Sequence, residues 1–97
     1  MLNSKQRAYL TGLSNHITPI FHIGKGSLTP EIVTAVDAAL EKRELVKLSV
    51  LKNCVDDPGE IADMVAGRTR SEVVRVIGKK IVLFRRSKKK PVIELPR

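Results

Sequence analysis

Pro19-Ile20-Phe21-His22-Ile23-Gly24-Lys25-Gly26-Ser27-Leu28-Thr29-Pro30-Glu31 carries a strand, a loop and a helix start within thirteen residues. Pro19 and Gly24 bound a β-rich run too short for a helix, so residues 19–23 read as a strand. Thr29 is a good N-cap, Pro30 suits the first helical position because it has no N–H to lose, and Glu31 faces the positive helix end. Ile32, Val33, Val36, Ala39 and Leu40 then recur at helical spacing, which predicts a helix ending near Arg43.

Upstream, residues 4–14 read as a first helix with Asn3 or Ser4 as cap and Leu10 and Leu13 on its buried side. Downstream, residues 45–51 alternate as a strand, with Val46, Leu48 and Val50 on one face and Lys47 and Ser49 on the other. Asp57-Pro58-Gly59-Glu60 repeats the cap pattern and starts a third helix carrying Ile61, Met64 and Val65, stopped around Gly67. Residues 73–77 and 81–86 form two strands joined by Gly78-Lys79-Lys80 as a tight hairpin. Residues 87–97 read equally as an extended edge or a tail. The order is α-β-α-β-α-β-β. Strands separated by helices are parallel crossovers or distant sheet neighbours, and the last two are antiparallel. The fold class is therefore α/β: one compact domain over residues 1–97, with a four-stranded mixed sheet packed with helices.

The 97 residues allow one domain and one core of two packed layers. Hydrophobic residues make up 42% and charged residues 29%, which argues against wholesale disorder. The longest apolar runs, such as Ile81-Val82-Leu83-Phe84, are too short to span a membrane. Residues 1–7 lack the apolar stretch of a secretory signal, and the single Cys54 makes neither an internal disulfide nor a zinc site. The expected compartment is the cytoplasm.

The charge decides the class of partner. Eighteen Lys and Arg against ten Asp and Glu give a net +8, and a polyanion, nucleic acid before membrane, is the implied ligand. Residues 1–67 hold seven basic and eight acidic side chains, whereas residues 68–97 hold eleven basic ones against Glu72 and Glu94. Such concentration costs self-repulsion that a bound anion offsets. The bland alternative is a solvated basic end that aids solubility.

The loop at residues 23–30 adds a possible phosphate cradle: Gly24 and Gly26 let the backbone approach a ligand, Lys25 supplies a cation, Ser27 a hydroxyl, and the following helix an exposed amide end. Two glycines before a helix are more often a plain tight turn. Neither a Walker loop nor a dinucleotide fingerprint is present, since Gly26 is followed by Ser27 without lysine and the third glycine is missing.

Several stretches together resemble one family. Lys5-Gln6-Arg7-Ala8-Tyr9-Leu10, Pro19 to Gly26, Ala39-Leu40-Glu41-Lys42-Arg43-Glu44-Leu45-Val46-Lys47, Val76 to Arg85 and Ile93-Glu94-Leu95-Pro96 stand in the order found in bacterial YhbY-type proteins, which are stand-alone CRM domains. The resemblance implies a fold similar to the C-terminal domain of translation initiation factor three. It further implies RNA binding without enzymatic activity and association with precursors of the large ribosomal subunit. The family's G-x-x-G loop falls on Gly24-Lys25-Gly26-Ser27, where Ser27 replaces the last glycine. If that position needs positive φ, Ser27 strains the loop; otherwise the Gly24/Gly26 pair shifts the turn by one residue.

Contacts to RNA are expected through phosphates and shape rather than stacking. Among the three aromatics, Phe21 and Phe84 lie in apolar strands, leaving Tyr9 as the one stacking candidate. The expected RNA-binding set is Gly24, Lys25, Gly26, Ser27, Lys79, Lys80, Arg85, Arg86, Lys88, Lys89 and Lys90, with Lys5 and Arg7 as further members. For the two arginines after Phe84, the strand is expected to end so that both are free. Catalysis has little material: His16 and His22 are isolated, the cap explains Asp56, Asp57 and Glu60, and Cys54 has no cationic neighbour in sequence. No metal, cofactor, membrane or small-molecule substrate is expected, and the chain is expected to act as a monomer on ribosomal RNA. A general DNA or RNA chaperone and a protein-interaction adaptor on the ribosome are the alternatives.

Overall fold

A computed structural model describes residues 2–97. Helix α1 (Ser4–Ser14) opens on a capping box: the Asn3 side chain accepts from the Gln6 amide, and the Gln6 side chain accepts from the Asn3 amide. Strand β1 (Phe21–Ile23) is shorter than its apolar run: Pro19 has no N–H, and Ile20 adds one amide bond to the Lys47 carbonyl at 3.0 Å before the register with β2 begins at Phe21. Helix α2 (Pro30–Arg43) starts on Thr29, whose side chain accepts from the Ile32 amide. Strand β2 (Leu45–Val50), helix α3 (Pro58–Thr69), and strands β3 (Glu72–Ile77) and β4 (Lys80–Phe84) complete the expected order.

The sheet runs β1-β2-β4-β3, with β1 parallel to β2 and both β2–β4 and β3–β4 antiparallel. Its two faces support two cores. Val46, Leu48 and Val50 of β2 and Ile81 and Leu83 of β4 meet Val36 and Leu40 of α2 and Ile61 and Val65 of α3. On the reverse face, Leu45, Val82 and Phe84 meet Leu10 of α1, with Ile93 and Leu95 packed against them. Period-two alternation sends neighbouring residues of each strand to opposite cores.

Three local expectations are revised. Helix α3 continues past Gly67 to Thr69 and is capped by Arg70 in the left-handed region, so the glycine does not stop it. Met64 faces outward, 38% exposed. Strand β4 begins at Lys80 and ends at Phe84, because the turn needs only Gly78 and Lys79; Gly78 takes φ 56°, as a two-residue hairpin turn requires. Lys47 lies on the face opposite Val46, Leu48 and Val50 and is half-buried there: its ammonium donates to the Ser14 carbonyl at 3.2 Å and closes the end of α1.

Residues 87–97 are an extended segment tied to the domain. Ser87 is buried, and its amide donates to Glu44 Oε2 at 2.7 Å. The amides of Val92 and Ile93 donate to Glu44 Oε1, each at 2.8 Å, and Gln6 Nε2 donates to the Pro96 carbonyl at 3.0 Å. Glu44 itself is fully buried at the C-cap of α2, with φ 67°. Burial pushes its carboxyl upward, and this is the largest single influence. The three amides and the charge of Arg86 more than reverse it, so the group titrates below its ordinary range.

Candidate nucleic-acid interface

The loop between β1 and α2 is a turn closed by the Ser27 amide donating to the Gly24 carbonyl at 2.9 Å. Neither loop glycine has a positive φ; the left-handed residue is Ser27 itself, at 54°. The turn therefore does not shift by one residue, and serine occupies the conformation that favours glycine. Its hydroxyl donates to Asp56 Oδ2, a contact that offsets part of that strain. A Cβ at Gly24 would stand 3.2 Å from Oδ1 of exposed Asn53, a tight contact that a small shift of that side chain relieves. A Cβ on Gly26 would meet nothing within 4 Å, so the loop's open side is at Gly26, next to exposed Lys25.

The helix end behind the loop is less available than its position suggests. Pro30 has no N–H, Ile32 donates to Thr29 Oγ1 at 3.2 Å, and Val33 donates to the Thr29 carbonyl at 3.0 Å. Glu31 and the Asp56 carboxylate place negative charge beside it. Any phosphate affinity of this loop comes from lysines more than from the helix end.

Those lysines are supplied by strand direction. The carboxyl end of β1 lies beside the carboxyl end of β2, since Ile23 pairs with Val50. The β3–β4 turn lies there too: Ser49 pairs with Lys80, and the Val50 amide donates to the Lys79 carbonyl at 2.7 Å. Lys25, Lys52, Lys79 and Lys80 are exposed and gather at this end of the sheet. Lys52 belongs to the set although its own sequence neighbourhood is not basic; only the strand register reveals it. Lys80 also donates to Ser49 Oγ at 3.1 Å.

The remaining predicted residues lie elsewhere. Arg85 and Arg86 follow the far end of β4, about 14 Å from Lys80 at ~3.4 Å per residue. Lys88, Lys89 and Lys90 continue from there, and Lys5 lies near the start of α1, which reaches the same end. The expected single footprint is thus divided between the two ends of the sheet.

Two predicted side chains are committed to the fold. Arg85 is not free: Nη1 contacts Asp37 Oδ1 at 2.5 Å and donates to the Thr69 carbonyl at 2.7 Å, while Nη2 donates to the Asp37 carbonyl at 2.9 Å. It braces α2 against the end of α3. Arg7 donates from Nη1 to the Val73 carbonyl and, at 3.2 Å, to the Val74 carbonyl, where a bulge interrupts the β3–β4 ladder. Lys88 and Lys89 are anchored by their amides to Glu41, with their side chains exposed. The Ser87 hydroxyl, followed by the Lys88 amide, holds the Glu41 carboxyl below its ordinary range against a smaller opposing effect of burial, with the Lys89 amide and Arg85 assisting. Phe84 is buried and Phe21 packs on the first core, leaving Tyr9 as the exposed aromatic.

Among the described residues, no helix is long and apolar enough to cross a membrane, and no group of three or more His, Cys, Asp and Glu could hold a metal ion. What the fold and surface define is a small α/β domain with lysine- and arginine-rich ends. Residues 2–85 match the CRS1/YhbY (CRM) domain, and the chain belongs to that family. It is 43% identical over 96 residues to a Bacillus subtilis protein named "Probable RNA-binding protein YqeI", covering 99% of this chain and 100% of that one. A Haemophilus influenzae protein named "RNA-binding protein" is 31% identical over 96 residues, covering 99% of this chain and 96% of the relative. The solution structure of SAV1595 from Staphylococcus aureus has the same fold, with a TM-score of 0.83 and 48% identity over 99% of this chain and 100% of that chain.

Proposed function

We propose that this protein binds structured ribosomal RNA through backbone phosphates, as a monomer in the cytoplasm, and assists maturation of the large ribosomal subunit without catalysing a reaction. The carrying observation is the gathering of Lys25, Lys52, Lys79 and Lys80 at one end of the sheet from two loops and the β3–β4 hairpin. Membership of the CRM family and the names of the relatives support RNA as the polyanion. The resemblance to YhbY-type proteins supports ribosomal RNA in particular. Phosphate contact fits a surface with one exposed aromatic better than base stacking does.

Titration of a ribosomal RNA fragment at several salt concentrations tests the electrostatic part. With about five phosphates neutralised, log affinity falls with log salt at a slope of roughly −3.5 to −4.5, and a flat response overturns it. Duplex DNA at equal salt is expected to bind more weakly, because it lacks A-form shape and 2′-hydroxyls. Sedimentation of a cell extract tests the assembly role: the protein is expected with large-subunit precursors, and its absence from every ribosomal fraction removes that role.

A further inference from the structure

At the end of the sheet remote from Lys25 lies a cleft of about 480 Å³, lined by Arg68, Arg70, Arg86 and Lys88 together with the Arg85 brace. Its two carboxylates already have partners. Asp37 is held by Arg85 at 2.5 Å. Glu41 accepts from Ser87 Oγ at 2.6 Å and from the amides of Lys88 and Lys89 at 3.1 and 3.3 Å. Five cations against two carboxylates leave this cleft net positive by three.

The negative end of α3 is nearby, but it is a partial charge of about half an electron, and its carbonyls are occupied. Thr69 O accepts from Arg85, and Ala66 O accepts from the Arg70 and Ser71 amides. The arginines therefore dominate the field. Guanidinium forks match phosphate oxygens in pairs, and the cleft has no aromatic lining on which a base would stack.

The outer surface of α2 and α3 runs from the lysine end to this cleft: exposed Glu31 and Glu60 stand in the first turns of the two helices, exposed Asp63 follows one turn on, and no lysine or arginine lies within residues 30–41 of α2 or 58–67 of α3. A single RNA strand or duplex laid along that surface would meet carboxylates and no cation before it reached the cleft. We propose that the protein has two separate phosphate-binding surfaces, the lysine end and the Arg68–Arg70–Arg86–Lys88 cleft, and that it bridges two backbone segments of one folded RNA. This rests on RNA being the ligand proposed above, and it adds a geometry: the protein clamps segments that are distant in the RNA chain.

The test uses the full chain and two synthetic RNAs: an isolated hairpin, and two such hairpins joined by a flexible single strand with donor and acceptor dyes at their tips. One variant carries Lys25→Gln and Lys79→Gln, the other Arg68→Gln, Arg86→Gln and Lys88→Gln, all at exposed positions. The unaltered protein is expected to raise energy transfer in the two-hairpin RNA. Each variant is expected to bind the isolated hairpin still, to lose the rise in transfer, and to lose on the order of 10-fold or more in affinity for the two-hairpin RNA as the second contact disappears. Binding by the unaltered protein without any change in transfer overturns the bridging inference while leaving RNA binding intact. So does a rise in transfer equal to that of the unaltered protein with either variant. Failure of the unaltered protein to bind either RNA overturns both readings.

Discussion

Ser27 shows how a single side chain keeps a turn that favours glycine. A left-handed φ costs an ordinary residue about 1–2 kcal/mol, and the Ser27–Asp56 contact returns a comparable amount. Ser27→Gly removes both strain and contact, so its stability is expected to stay within about 1 kcal/mol of the parent. Ser27→Ala keeps the strain and loses the contact, and it is expected to be the less stable of the two by about 1–2 kcal/mol. Urea denaturation of both variants decides it: both lack the Asp56 contact, so equal midpoints would remove the proposed backbone strain at residue 27. Arg85 and Arg86 make a second pair of neighbours with opposite fates. Arg85→Ala is expected to cost about 2 kcal/mol, because the Asp37 and Thr69 acceptors lose their donor. Arg86→Ala is expected to cost less than about 1 kcal/mol, since Arg86 is exposed and its charge is the smallest of the influences on buried Glu44. Denaturation midpoints of the two alanine variants check the contrast. Sequence alternation alone could not separate these two arginines, because the acceptors of Arg85 lie 16 and 48 residues away.

Among the elements, those announced by local chemistry were the legible ones. Thr29-Pro30 and Asp57-Pro58 mark the starts of α2 and α3 because a cap is a contact within a few residues. Ends were harder: Gly67 is a plausible stop, yet Ala66 and Thr69 remain buried and hold the helix on the sheet for another half turn. The last segment was the least legible, because it has no regular hydrogen-bonding pattern and is held by two carboxylates on α2. Glu44 titrates below its ordinary value in the fold, so it stabilises the folded state fully above the unfolded carboxylate value of about 4.3. That contribution is lost as pH falls through the lowered folded value. Glu41 has the same sign. Glu44→Gln is expected to cost about 1–3 kcal/mol at neutral pH, since an amide cannot accept at both oxygens from Ser87, Val92 and Ile93. The variant is also expected to lose less stability than the parent between pH 5 and about pH 3. Denaturant midpoints across that range measure both effects, and parallel pH curves would exclude Glu44 as the acid-sensitive group.

At the scale of the whole molecule, the excess of positive charge after residue 67 was legible, but its division was not. Lys79 and Arg86 are close in sequence, yet β4 carries the chain from one end of the sheet to the other between them. A run of basic residues on an antiparallel strand is therefore not a patch. The last eleven residues belong to the fold and also carry three of the lysines proposed to meet RNA, and the two roles separate by the kind of change made. Removing residues 87–97 takes Ile93 and Leu95 from the second core and three amides from buried Glu44. A loss of about 3–5 kcal/mol is expected. Lys88→Gln, Lys89→Gln and Lys90→Gln together leave those backbone contacts in place and are expected to change stability by less than about 1 kcal/mol. The triple variant is nonetheless expected to make the salt slope of RNA binding shallower by about 1–2, because each phosphate contact contributes roughly 0.7–0.9. Thermal melts of the truncated and triple-substituted chains, followed by salt titration of the latter, test this separation. Unchanged melting on truncation would show that the segment is no part of the fold, and an unchanged slope in the triple variant would remove the three lysines from the RNA surface.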